Sequence, residues 1–355
     1  MDQITRGIAP NRRGKGVAAL GAVALALGLT ACSSPASEES PAGEETDSTP
    51  VTVALDWTTN TNHVGIYVAE ELGYYEEAGL ELEILPYASS PTTDLIESGS
   101  ADFGVSTQAV VQQARTAGAD LASVFAVVQK ETGALVTLPD RDDIASPSDL
   151  DGKLYGGFGI PLYHKLAQQV IKNDGGQGDI EEVTLTTGAY DALEAGSIDF
   201  TAAITTWESI LQEQAGQPFQ VFEYEDFGIP NEQTILIATS DETISADPEK
   251  VEAFVQATQR GYQYTIDNRE EAAQLLIDAD TTTLGESEEL VRASLDKLID
   301  EGYFQNGDRA VGSHDPEAWD GFGGFLLESE LLTDGSGEIV TEAPDWESYY
   351  TNEYL

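Results

Sequence analysis

Asp56, Trp57, Asn60, Asn62 and His63 fall in one polar stretch directly after the apolar run Val51–Leu55. A tryptophan there offers a rigid π-face to an aromatic ligand, worth about 0.5–1.5 kcal/mol beyond the area it buries. The amides of Asn60 and Asn62 and the His63 imidazole can donate to or accept from ring nitrogens and exocyclic groups. Each also has a plainer use: Trp57 as a core residue capping a sheet, the asparagines as turn formers, His63 as the start of a helix. A second group, Ser106, Thr107 and Gln108, follows the run Phe103–Val105 and opens a helical stretch. Hydroxyls and free N–H groups at such a point hold polar or anionic groups. N-capping accounts for Ser106 or Thr107 equally well.

The later part of the chain offers a matching set. Gly156-Gly157-Phe158-Gly159-Ile160-Pro161 lies between a strand-like and a helix-like segment. Glycines there let the backbone approach a ligand closely, or simply make a tight turn. The spacing is not the G-x-G-x-x-G of dinucleotide sites. Trp207 and Glu208 follow the run Phe200–Ile204, placing an aromatic ring and a carboxylate at a strand terminus. Glu208 either accepts from an exocyclic amine or is a solvated acid at a helix start. Tyr190 belongs either to a cleft or to packing. A planar ligand held between Trp57 and aromatic residues of the later segment is the simplest arrangement these residues support.

Catalytic chemistry finds little support. His63, His164 and His314 are widely separated and Cys32 is the only cysteine, so no paired Cys or His spacing exists for a metal. No G-x-S-x-G occurs, no cofactor is called for, and Lys165 beside His164 reads as a helix-surface pair. No enzyme activity is expected.

The elements that must position these residues alternate along the chain. Strands are expected at Val51–Leu55, Leu80–Leu85, Phe103–Val105, Leu121–Val127 and Ala134–Leu138, with helices near Val64–Leu72, Thr92–Ser98 and Thr107–Ala117. A second series has strands at Lys153–Gly156, Glu182–Thr186, Phe200–Ile204 and Phe219–Tyr224, separated by helices near Pro161–Ile171, Ala189–Ala195 and Glu208–Ala215. The alternation implies parallel strands with crossover helices. After the strand-like Thr234–Ala238 the chain reads as helical to about Leu327, with Asp247-Pro248 starting one helix as N-cap and first residue. Some 300 residues exceed one typical core. The expectation is an α/β protein of two lobes joined by two crossings, near Pro139–Ser148 and Asn231–Ser240. Lobe 1 then covers 51–138 and 241–355, and lobe 2 covers 139–240.

The first fifty residues are of another kind. Arg6, Arg12, Arg13 and Lys15 precede the apolar run Val17–Ala31, which is short of the roughly 20 residues a membrane span needs. Leu-Thr-Ala-Cys at 29–32 resembles the lipobox of bacterial lipoproteins, implying a signal peptide over 1–31 and lipid attachment at Cys32. Residues 32–50, rich in Ser, Pro, Glu, Gly and Thr, read as a disordered tether. Without residues 1–31, which hold four Lys/Arg and one Asp, the chain has 12 basic and 63 acidic residues, a net charge of −51. Such a charge repels phosphates and anionic lipids, so nucleic acid is not an expected partner and the membrane is met only through the anchor.

Several segments together carry a family resemblance. LDWTTNTNHVGIYVAEELGYYEEAGLELEILP (55–86), DLIESGSADFGVS (94–106) and DLDGKLYGGFGIP (149–161) are followed by DPEKVEAFVQATQRGYQYTIDNREEAAQLL (247–276) and YTNEYL (350–355). The chain resembles type II periplasmic-binding proteins of the group that includes thiamine-pyrimidine-precursor binders and yeast-type pyrimidine synthases. The resemblance implies a two-lobed fold with a hinge and an interlobe ligand cleft. It further implies a monomeric solute-binding lipoprotein on the extracytoplasmic face of the membrane, serving an ABC permease and its ATPase in vitamin uptake. A thiamine pyrimidine precursor is the expected ligand, with riboflavin or a nitrate- or sulfonate-type anion as alternatives and a pyrimidine-synthase-like enzyme as the alternative of another class. Relatives often carry Glu two positions after the Pro of the glycine turn, where this chain has Tyr163. Thr59 stands where Pro is usual and Thr206 where Gly is usual. Tyr163 suits a larger or less basic ring.

Overall fold

A computed structural model describes residues 48–88, 90–185 and 188–355. The signal segment, Cys32 and residues 33–47 of the tether lie outside the described residues.

Among the described residues ten strands form two sheets of five: β1 (Thr49–Ala54), β2 (Leu80–Leu85), β3 (Phe103–Ser106), β4 (Ala122–Val128), β5 (Gly133–Thr137), β6 (Leu154–Gly157), β7 (Glu181–Thr184), β8 (Phe200–Ile204), β9 (Gln220–Glu223) and β10 (Ile235–Thr239). The first sheet has the order β2-β1-β3-β10-β4 and the second β7-β6-β8-β5-β9. The helices expected between strands are present, among them Val64–Glu71, Gln108–Thr116, Pro161–Asn173 and Glu208–Gln214. Asp247 accepts the Lys250 N–H at 3.1 Å, and Pro248 begins the 20-residue helix Pro248–Asp267.

Three expectations need correction. The sheets are mixed rather than parallel: β10 runs antiparallel to β3 and β4, and β5 antiparallel to β8 and β9. Both antiparallel strands arrive from the other lobe. Only residues 129–132 separate β4 from β5, too few for the crossover a parallel neighbour needs. The lobe limits therefore move. β5 belongs to the second lobe and β10 to the first, so the crossings are residues 129–132 and 224–234 rather than 139–148 and 231–240. Each expected boundary fell one strand too late, because an apolar run does not reveal which sheet it joins. Finally, the tether ends before residue 50: Thr49 and Pro50 already pair with Leu80 and Glu81, a strand start being one place a sheet accepts proline.

The first-lobe core lies between its sheet and the helices Val64–Glu71, Pro248–Asp267, Arg269–Ala279 and Glu288–Asp300, with Phe103 stacked on Phe254 at 3.8 Å between ring centroids. At the crossing of Val64–Glu71 with Pro248–Asp267, Gly65 and Gly261 bring backbone against backbone. A Cβ on Gly261 would lie 2.0 Å from the Gly65 carbonyl oxygen.

The carboxyl-terminal YTNEYL segment fastens the chain to β4. Thr351 N–H donates to the Ser123 carbonyl at 2.9 Å, and Asn352 Oδ1 accepts from the His314 N–H at 2.8 Å. His314 is buried, stacked on Tyr350 at 5.0 Å and 2.7 Å from Ser123 Oγ.

Candidate functional site

The carboxyl ends of β1 and β2 carry the first half of the site. Trp57 is 58% exposed and tilts against Tyr87, itself 45% exposed, with centroids 4.9 Å apart. The core alternative for Trp57 therefore falls. Asn60 does the turn-forming work: its Oδ1 accepts the Asn62 N–H at 2.8 Å and its Nδ2 donates to the Thr58 carbonyl at 3.0 Å. Asn62 lends its carbonyl to the Tyr262 hydroxyl at 2.5 Å. His63 is buried, its Nδ1 accepting the Asn60 N–H at 3.3 Å and its Nε2 lying 2.9 Å from Asp56 Oδ1. The ring positions Asp56 and leaves the second carboxylate oxygen uncommitted.

At the end of β3, Thr107 caps the helix Gln108–Thr116 by accepting the Val110 N–H. Gln108 is fully buried and all its amide atoms are in use. It donates to the Ala318 carbonyl at 3.0 Å and accepts the Gln233 N–H at 2.9 Å, so it ties elements together rather than facing a cleft. Ser106 Oγ is buried without a partner.

In the second lobe, Gly159 adopts φ +75° and so meets the backbone demand of its turn without strain. Phe158 packs edge-on to Tyr163 at 5.8 Å, at the start of the helix Pro161–Asn173. Burial raises the Tyr163 phenol above its usual range, and the carboxylates of Glu232, Glu131, Glu208 and Asp56 push it further the same way. Asp56 of the first lobe, Glu208 of the second and one residue from each crossing thus act on a single phenol through their charges. Glu208 Oε2 accepts the Ile204 N–H at 3.1 Å, and burial raises its carboxyl above the ordinary range. Tyr190 donates to the Ala202 carbonyl at 3.1 Å and faces Phe219, which favours its packing role. Trp207 packs across onto the core of the first lobe.

Asp56 and Glu208, from the two lobes, both act through their charge on the Tyr163 phenol, and Trp57 stays open to solvent. The structure adds three residues the sequence did not single out. Tyr87 follows the carboxyl end of β2, a position that could have been read as Trp57 was. Glu131 sits in a crossing the sequence reading placed after β5, and Glu232 lies inside the expected second crossing without having been singled out there.

The two crossings are joined. Asn231 Oδ1 accepts the Glu131 N–H at 2.9 Å, Asn231 Nδ2 donates to the Gln129 carbonyl at 3.2 Å, and Thr234 Oγ1 donates to the Lys130 carbonyl at 3.1 Å. Glu131 and Glu232 are 8% and 6% exposed. Glu131 Oε1 accepts the N–H groups of Thr132 at 2.9 Å and Gly133 at 2.6 Å, while Oε2 has no partner. Glu232 Oε1 accepts the Ala109 N–H at 3.0 Å. Desolvation raises Glu131 to about 7, with Glu225 adding to the rise. Desolvation and the Glu131 charge raise Glu232 well above the ordinary range.

Comparison with known proteins agrees with the resemblance read from the sequence. The family described as NMT1/THI5 like matches residues 60–272. The formylaminopyrimidine-binding protein of Halalkalibacterium halodurans is 27% identical over 306 residues, 82% of this chain and 90% of that protein. The 4-amino-5-hydroxymethyl-2-methylpyrimidine phosphate synthase of Legionella pneumophila is 28% identical over 238 residues, 64% and 73% of the two chains. In fold, the chain is similar to the periplasmic aliphatic sulphonate binding protein SsuA from Escherichia coli, with a TM-score of 0.64 and 15% identity over 85% of this chain and 97% of that one. Given the length of the family match, this chain belongs to the NMT1/THI5-like family.

Proposed function

We propose that this protein is an extracytoplasmic solute-binding lipoprotein, anchored at Cys32, that holds a planar heterocycle between its lobes and delivers it to an ABC permease with its ATPase. It acts as a monomer and its lobes close on the ligand by a hinge motion. The observation that carries this reading is the exposed Trp57–Tyr87 pair at the strand ends of the first lobe, on the lobe whose Asp56 acts electrostatically, with Glu208 of the other lobe, on the Tyr163 phenol. Exposed aromatic faces next to convergent polar groups are what a small-ligand site requires. Phe158 and Tyr163 supply aromatic surface from the second lobe.

An aminopyrimidine related to thiamine is the preferred ligand. The formylaminopyrimidine-binding relative supports it over 90% of that protein's length. The acidic surroundings weigh against a sulfonate or nitrate, because a buried anion beside carboxylates is repelled. The synthase relatives keep open a second reading, a pyrimidine-forming enzyme, and an assay for formation of a pyrimidine phosphate addresses it directly.

The test is native mass spectrometry of the full chain in detergent, followed by calorimetric titration with 4-amino-5-hydroxymethyl-2-methylpyrimidine, thiamine and riboflavin. A 1:1 complex with a heterocycle is expected. No heat from any of the three, with a thermal shift from alkanesulfonates, would overturn the ligand class.

A further inference from the structure

Beyond the two crossings the lobes meet a third time, and a tryptophan of the second lobe makes the contact. Trp207 follows β8, yet its side chain packs onto the apolar core of the first lobe. The helix it opens, Glu208–Gln214, has no buried residue and leaves Leu211 exposed. This helix touches the first-lobe helix Glu288–Asp300 as well as its own β8, and Gln214 Nε2 donates to the Glu289 carbonyl at 3.2 Å. Further along Glu288–Asp300 the contact is electrostatic. Desolvation raises the Glu223 carboxyl of β9, and the charge of Lys297 works against that rise. Just past its last turn the same helix meets the first crossing. The Lys130 ammonium donates to the Glu301 carbonyl at 2.7 Å, the Gln129 N–H donates to the Tyr303 carbonyl at 2.7 Å, and Gln129 Oε1 accepts the Asn306 N–H at 3.2 Å. Glu289 and Glu301 are about 18 Å apart, at the roughly 1.5 Å that a helix rises per residue. The helix is itself firmly set. Val291, Leu295 and Leu298 lie in the first-lobe core, and Ser294 Oγ is 2.7 Å from Thr61 Oγ1, in the turn that carries His63. A body seated at two points of one rigid helix keeps a single rotation, about the line that joins them.

We propose that Trp207 and Gln214 seat the second lobe on the helix Glu288–Asp300 as a third joint, which holds while the lobes open and close, so that the second lobe swings about that helix and Trp207 is a positioning residue and not a ligand contact. The inference rests on the solute-binding reading above and adds the axis of the motion and the residue that fixes it. A lobe hung on two crossings alone samples many orientations, and the apparent affinity of a site falls by the fraction of time it spends in the competent one. A seated lobe samples fewer. Trp207 acts on the ligand only through this restriction, while the open π-face belongs to Trp57.

Cross-linking the full chain in detergent tests this, with 4-amino-5-hydroxymethyl-2-methylpyrimidine as the probe. Gln214→Cys and Glu289→Cys are joined by a short bismaleimide, and peptide mapping shows that the link joins those positions and not Cys32. The link is expected to form to the same extent with and without the pyrimidine, and the linked chain to bind it within about three-fold of the unlinked one. A link that forms only with the pyrimidine, or not at all, overturns the inference, and so does a linked chain that binds at least about ten-fold more weakly. Trp207→Ala is expected to weaken binding about ten-fold, mainly through slower association, and the same link to recover most of that loss. A lost ligand contact would not be recovered, so a folded Trp207→Ala that the link fails to rescue overturns the positioning role. The linking experiment needs no change at Trp207 and decides the joint even where that variant does not fold. In all these outcomes the solute-binding function survives. Failure of the unmutated chain to bind the pyrimidine overturns the ligand class itself, and the inference falls with it.

Discussion

His63 Nε2 lies 2.9 Å from Asp56 Oδ1, and the other ring nitrogen accepts the Asn60 N–H. An accepting Nδ1 fixes the tautomer, so Nε2 carries the proton and donates to the carboxylate. The imidazole is thus a brace across the turn between β1 and the helix Val64–Glu71, and Asp56 is the group it aims.

His63→Ala removes the brace and frees Asp56 to follow solvent. Affinity for 4-amino-5-hydroxymethyl-2-methylpyrimidine is expected to fall about ten-fold, the equivalent of 1.4 kcal/mol. His63→Gln, which can still donate from its amide nitrogen, is expected to recover part of the loss. Titration calorimetry reads both. Equal affinity in the unmutated chain and folded His63→Ala would show that Asp56 needs no aiming.

The helix crossing behind that turn makes a separate prediction. Gly261→Ala puts a methyl 2.0 Å from the Gly65 carbonyl oxygen and 2.9 Å from Ala69 Cβ. Overpacking of this kind costs about 1–3 kcal/mol, more than the roughly 1 kcal/mol that alanine gains over glycine in a helix. The melting temperature is expected to fall by several degrees. Gly324→Ala is the control: it lies in the helix Pro316–Glu328 with nothing within 4 Å of the added carbon, so there only the helix gain remains and the melting temperature rises or holds.

Much of this architecture was legible because it is local. Leu80–Leu85 and Phe200–Ile204 begin and end where their apolar patterns do. Asp247-Pro248 announced its helix through cap chemistry alone. Sheet membership was not legible, since whether Gly133–Thr137 pairs with β4 or with β8 and β9 is decided by long-range pairing that leaves no periodic trace. The site divides along the same line. Asp56 and Trp57 sit at a strand end, a place sequence can find. Gln108 looked like a ligand contact, but the approach of Ala318 and Gln233, more than a hundred residues away, absorbs its amide. Glu131 and Glu232 matter only because two crossings meet, and their burial is a tertiary fact.

Stability should depend on pH through His314. Burial holds this imidazole at about 4, below the usual 6.5, despite the Asn352 contact that works the other way. The sign follows from proton uptake. As pH falls through 6.5 the unfolded chain takes up a proton that the folded chain refuses until about 4, so stability contributed by a neutral His314 is full above 6.5 and lost between 6.5 and 4. The loss is of order 3 kcal/mol at about 1.4 kcal/mol per pH unit. The difference in melting temperature between the unmutated chain and His314→Gln should therefore narrow as pH is lowered from 7.5 to 5. A constant difference would mean the imidazole titrates normally.

Trp57 separates binding from folding more cleanly than any other residue of the site. It is 58% exposed and its aromatic neighbour Tyr87 is exposed as well, so truncating it opens no cavity in the core, and surface changes of that kind stay within about 0.5 kcal/mol. The melting temperature of Trp57→Ala without ligand should match that of the unmutated chain. Yet a π-face lost from a stacked heterocycle, together with the area it covers, is worth at least about one decade of affinity. Trp57→Phe, which keeps a smaller face, should fall between the two. If affinity for 4-amino-5-hydroxymethyl-2-methylpyrimidine is the same in all three, the ring stands beside the cleft and takes no part in it. The stacking surface would then have to come from the second lobe, where Phe158→Ala would be the change that weakens binding.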